Sequence, residues 1–91
     1  MKLFAWDPAK NELLIRDRGV SFEVVVASIE SGGLLDIIEN PSPQYQHQEM
    51  FVVRVEDYVY LVPFVEDITR IFLKTIIPSR KLTKRYLLGG I

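Results

Sequence analysis

The residues best equipped for chemistry in this 91-residue sequence are cations and tyrosines. Arg54, Arg70, Lys74 and Arg80 fall in or beside a run of strand-like segments, and Tyr58, Tyr60 and Tyr86 accompany them. Cations bind phosphate and stabilise the charge that develops during phosphoryl transfer; aromatic rings stack on unpaired bases. Metal-free RNA cleavage needs a base for the 2′-hydroxyl, a cation for the phosphorane and a proton for the leaving oxygen. The set holds candidates for each task. Strand tyrosines also serve as plain core residues, so both roles stay open at Tyr58 and Tyr60.

Other chemistries find little support. There is no cysteine, and the only histidine is His47, so thiolate sites and multi-histidine sites are excluded. No glycine-rich phosphate loop or helical ligand pair occurs, and neither metal nor cofactor is expected. The net charge of -1 conceals an asymmetry. Residues 1–67 hold all 12 acids and 5 of the 11 Lys and Arg, whereas residues 68–91 hold Arg70, Lys74, Arg80, Lys81, Lys84 and Arg85 and no acid. Such a tail suits a polyanion or an acidic partner, or else is solvated and paired locally with the acidic half. The overall charge argues against strong DNA binding by the chain alone. No apolar run reaches membrane-spanning length and no signal-peptide core opens the chain, so a cytoplasmic protein without a membrane partner is expected.

The elements that must position these residues follow in order. Lys2–Trp6 is an apolar edge strand. Asp7 is an N-cap, Pro8 suits the first helical position, and Gly19 ends a helix at Arg18. Ser21 caps a second helix whose stripe is Phe22, Val25, Val26 and Ile29, ended by Ser31-Gly32-Gly33. Leu34–Ile38 is a short strand. Glu39–Glu49 is a polar loop with two prolines, offering Tyr45, His47 and Gln48 as candidates. Three strands then form an antiparallel meander: Met50–Glu56, Tyr58–Val65 and Ile71–Ile77, with Pro63 marking a bulge or an edge position. One apolar face should pack on the two N-terminal helices, leaving the other for the last helix or a partner. Ser79 caps that helix, Arg80 to about Leu88, whose apolar side is Leu82 and Tyr86. The fold class is α+β.

Three stretches together resemble one family. Phe4-Ala5-Trp6-Asp7-Pro8-Ala9-Lys10, Arg18-Gly19-Val20-Ser21-Phe22-Glu23 and Ile76-Ile77-Pro78-Ser79-Arg80 through Arg85 are similar, in order and spacing, to motifs of the BrnT (DUF497) family. The resemblance implies a RelE-like fold and the ribonuclease toxin of a type II toxin–antitoxin pair. It implies a ribbon-helix-helix-type antitoxin as partner, DNA contact only through that complex, and a homodimeric arrangement. On that reading Lys74 stabilises transition-state charge, Arg80 and Lys84 bind phosphate, and Tyr58 or Tyr86 with Arg54 orients the RNA; Arg70, Lys81 and Arg85 add phosphate contacts. Met50, Phe64 and Thr75 stand where relatives often carry polar residues. The alternative is a non-catalytic protein-binding module of the same fold, acting with an antitoxin-like DNA-binding partner.

Overall fold

The computed structural model describes residues 2–45 and 48–89. His47 lies outside the described residues. Helix boundaries follow local capping. The Asp7 carboxylate accepts from the Ala9 N–H at 2.9 Å, Pro8 opens α1 (Pro8–Arg18), and Gly19 closes it with a left-handed φ of 68°. The Ser21 hydroxyl accepts from the Val24 N–H at 3.1 Å and starts α2 (Phe22–Ser28). A wide turn over Ile29–Gly33 follows. A side chain at Gly33 would collide with Ser28 and with the Arg54 carbonyl, so only glycine fits there.

The strands are β1 (Leu3–Ala5), β2 (Leu34–Glu39), β3 (Glu49–Val55), β4 (Tyr58–Glu66), β5 (Arg70–Leu73) and β6 (Ile77–Pro78), and the last helix is α3 (Arg80–Leu87). The sheet order is β1-β5-β4-β3-β2, with β6 also paired to β4. Pairings are antiparallel except β1 with β5, which run parallel. The result is an α+β fold, a multi-strand sheet with two N-terminal helices on it, as expected. The polar loop contains one helical turn, Pro43–Tyr45.

The strand expected over Ile71–Ile77 is interrupted, and Pro63 explains where. The Pro63 carbonyl accepts from the Lys74 N–H at 2.8 Å, so the proline nitrogen faces the same neighbour and has no proton to give. Pairing resumes only at Leu61 with Ile77. Two steps along β4 therefore oppose three along its partner, a one-residue β-bulge. The bulge keeps Lys74 and Ile77 on the sheet face of Pro63 and Leu61.

Side chains alternate between the two faces. One face offers Phe51, Val53, Val62, Phe64 and Leu73, which form one core with Leu14, Val20, Phe22 and Val25 from the helical side. Phe51 and Phe64 stack with centroids 3.9 Å apart, and Trp6 lies against Phe22 at 5.6 Å. The opposite face is covered as well, and of the two expected covers the last helix is the one seen: Met50, Val52 and Val59 are buried too. There α3 packs against β4. Its inward residue is Thr83 rather than Tyr86, which is 39% exposed. The Thr83 hydroxyl accepts from the Val59 N–H at 2.9 Å and donates to the Ser79 carbonyl at 2.7 Å. It thereby extends the ladder beyond β6.

Candidate nucleic-acid interface

The sheet does not gather the expected cations into one cluster. Arg54 is opposite Val59, Lys74 is beside Pro63, and Arg70 is beside Asp67. At about 3.3 Å per residue these positions put roughly 13 Å between Arg54 and Lys74, and roughly 26 Å between Arg54 and Arg70, along the strand direction. Arg54 Nε donates to the Glu56 carbonyl at 2.9 Å, bracing the β3–β4 turn. Arg70 stands in the β4–β5 turn region, where its N–H donates to the Asp67 carboxylate at 2.8 Å.

Tyr58 is also separated from Arg54. The two-residue turn pairs Val55 with Tyr58, so Tyr58 takes the helical face and Arg54 the other. There Tyr58 and Tyr60, with ring centroids 5.5 Å apart, line a cleft of about 300 Å³ with Glu56 and Asp57. Burial, then the neighbouring Tyr58 and Glu56, pushes the Tyr60 phenol above its usual pKa of 10.0. Two carboxylates in this cleft oppose a phosphate backbone, which makes it electrostatically unfavourable for the RNA-orienting role expected of Tyr58.

Lys74 has different company. It lines a basin of about 260 Å³ together with Asn40, Tyr45 and Gln48 from the polar loop, and Pro63, Thr75 and Ile77 from the sheet. The loop crosses from β2 to this point over the face that buries Met50. Its frame is hydrogen-bonded: Asn40 N–H donates to the Gln48 carbonyl at 2.8 Å, and Gln48 N–H to the Tyr45 carbonyl at 2.9 Å. The Lys74 ammonium stands 5.5 Å from the centroid of the Phe72 ring. Tyr45 and Gln48 are thus brought to Lys74. Asn40 belongs to the same group and carried no signal in the sequence beyond its place at the loop's start.

The α3 cations form a second feature. Arg80, Lys81, Lys84 and Arg85 are all exposed. At about 100° per residue they share an arc of roughly 140°. Among the described residues the ion pairs are Lys2–Glu66 at 2.6 Å and Arg16–Asp17 at 3.4 Å, so no α3 cation is neutralised by the acidic half of the chain. Arg80 follows three residues after Ile77 of the basin. β6 thus links the basin in sequence to the basic helix, whose first turn is held at Val59 by the Ser79 N–H. Among the described residues no His, Asp or Glu cluster could hold a metal ion, and no helix is long and apolar enough to cross a membrane. The chain matches no protein-family model and no curated protein sequence.

Proposed function

We propose that the chain is a RelE-like ribonuclease toxin of the BrnT kind, held in check by a small ribbon-helix-helix-type antitoxin. The observation that carries this reading is the stripe of four exposed cations on α3, which form no ion pair among the described residues. Unneutralised cations in one arc match a polyanion, and single-stranded RNA is the substrate class that also uses a recess beside the backbone track. Arg80 and Lys84 hold phosphates, with Lys81, Arg85 and the half-exposed Tyr86 alongside. Lys74 faces the reacting phosphate and stabilises its developing charge. Arg54, Arg70 and Tyr58 neither line the Lys74 basin nor belong to α3, and this reading gives them no part in the chemistry.

Inducible expression in a bacterial host and incubation of the purified protein with RNA test the reading together. Growth arrest and RNA cleavage are expected, and Lys74→Ala should lower the cleavage rate by about 10²-fold, the scale for removing one electrostatic stabiliser. A Lys84→Ala/Arg85→Ala pair should instead weaken RNA binding and lower its salt slope by about 1.4, at roughly 0.7 per phosphate contact on a single strand. No arrest and no cleavage would sink the catalytic role.

One observation favours a second reading, the protein-binding module. Leu3, 72% exposed, lines a groove of about 570 Å³ with Phe4, Trp6 and Val26, flanked by Lys2 and Glu30, and Ile68 in the β4–β5 turn is 91% exposed. An exposed apolar edge of this kind fits a partner protein. It replaces the second sheet face as the place where such a partner would dock.

A further inference from the structure

We propose that the Asp36 carboxylate closes the free edge of β2, so that the sheet does not extend itself by pairing with a second copy of this chain. The device is independent of the RNA-binding reading. The sheet order begins at β1 and ends at β2. An outer strand presents unpaired N–H and C=O groups, which form a template for another chain. In β1 the Leu3 N–H is already spent on the Thr69 carbonyl at 3.1 Å. Alternation then turns only Phe4 of this three-residue strand outward, and an edge so short is a poor template. β2 is longer, six residues reading Leu-Leu-Asp-Ile-Ile-Glu. Asp36 is the one charge inside an otherwise apolar, strand-forming run, the place where a charge suppresses association.

The register fixes which groups of β2 face outward. Asn40 N–H donates to the Gln48 carbonyl at 2.8 Å, and Ile38 opposite Met50 and Asp36 opposite Val52 continue the same register. In an antiparallel pair every second residue bonds to the neighbour, here Asn40, Ile38 and Asp36. Ile37 and Glu39, opposite Phe51 and Glu49, therefore turn their N–H and C=O groups to the open side. The irregularity between Leu34 and Asp36 ends the regular edge beyond them. Ile37 is thus the inner rung of the free ladder, with its side chain 46% exposed. Its N–H is not available: Asp36 Oδ1 accepts it at 2.8 Å. A strand docking here must bring a carbonyl oxygen to that N–H, and it meets the carboxylate instead. The exchange gives up a charge-assisted bond for a neutral one and sets two oxygens against each other. The Asp36 carboxylate makes no ion pair among the described residues.

Sedimentation velocity over a concentration series, with amide hydrogen exchange on the same samples, tests the device on the intact chain. In the wild type the Ile37 amide should exchange about ten-fold more slowly than the Glu39 amide after correction for intrinsic rates, the scale of one hydrogen bond. Asp36→Ala should abolish that protection in dilute solution and tighten self-association at least about five-fold. Asp36→Asn keeps an acceptor oxygen without the charge, and should stay with the wild type in both measurements. Adding Ile37→Pro to Asp36→Ala removes the outward N–H at the cost of no ladder bond, and should return the sedimentation profile to that of the wild type. The exchange of core amides such as Val53 reports that each variant is folded. An unprotected Ile37 amide in the wild type, or unchanged association of Asp36→Ala, would overturn the proposal. So would equal association of the alanine and asparagine variants, or association that survives Ile37→Pro.

Discussion

Both faces of the sheet are buried, but they are closed by different physics. The helical face is closed by apolar volume: Phe22, Val25, Val53, Val62, Leu73 and Ile76 are each fully buried. The opposite face has fewer buried residues, and hydrogen bonds hold its covers in place. Thr83 and Ser79 fasten α3 to the edge of β4, and Asn40 with Gln48 closes the loop over the other end. Apolar packing is tolerant of small shifts and stores most of the free energy. Hydrogen-bonded covers contribute less but fix positions, and position is what a binding tract needs. The face that makes the fold stable and the face that carries the candidate site are therefore separate, and substitutions on each should read out differently.

The largest effect should come from the helical face. Phe22 has no exposed surface, stacks on Trp6 and sits at the start of α2. Phe22→Ala should cost about 3–5 kcal/mol in urea unfolding, a large part of the stability of a typical domain. The variant that still folds should keep its RNA affinity per folded molecule. A cost below about 2 kcal/mol would mean that the apolar core is not the main store of stability.

An intermediate effect is expected across the sheet. Thr83→Val preserves shape but removes the acceptor of the Val59 N–H and the donor to the Ser79 carbonyl. Leaving that backbone donor unsatisfied should cost about 1–3 kcal/mol, while Thr83→Ser, which retains the hydroxyl, should cost under about 1 kcal/mol. Because α3 carries the basic stripe, Thr83→Val should also weaken RNA binding, which Phe22→Ala should not. Equal losses in the valine and serine variants would assign Thr83 a packing role and remove the distinction between the faces.

How much of this was legible in the sequence depends on how far each interaction reaches. The caps at Asp7, Ser21 and Ser79 join residues two or three apart, and all three were readable from residue type and order. The link from Asn11 to the Phe22 N–H spans 11 residues, and that from Thr83 to Val59 spans 24; no local pattern marks either. The bulge after Lys74 was half legible. Pro63 announced a missing donor, but only the pairing shows that its nitrogen faces β5. The separation of Tyr58 from Arg54 was open to deduction all along. A two-residue turn pairs Val55 with Tyr58, so strict alternation already assigns Tyr58 to the face opposite Arg54. Lys74 and Gln48 were both visible as candidates. Their meeting depends on a loop crossing two strands, which residue spacing does not encode.

The smallest expected effect concerns protons. Asn11 is buried, and its side-chain amide donates to the Glu23 carboxylate at 2.7 Å while its oxygen accepts from the Phe22 N–H at 2.8 Å. The Asn11 bond, followed by the Glu23 backbone N–H, holds Glu23 below its ordinary 4.5. Asp67 is held below 3.8 by the backbone N–H groups of Thr69 and Arg70 in the β4–β5 turn. Both carboxylates are depressed on folding, so their contribution is present above the ordinary values and is lost as pH falls through the folded ones. Urea midpoints should therefore stay level down to about pH 5 and decline below about pH 4.5. The causes differ, which permits a separation by carbonyl ¹³C titration. Asn11→Ala should return Glu23 toward 4.5 and leave Asp67 where it is, because the Asp67 partners are backbone groups of its own turn. A shift of both carboxylates in that variant would show that Asn11 organises more of the molecule than the α1–α2 junction.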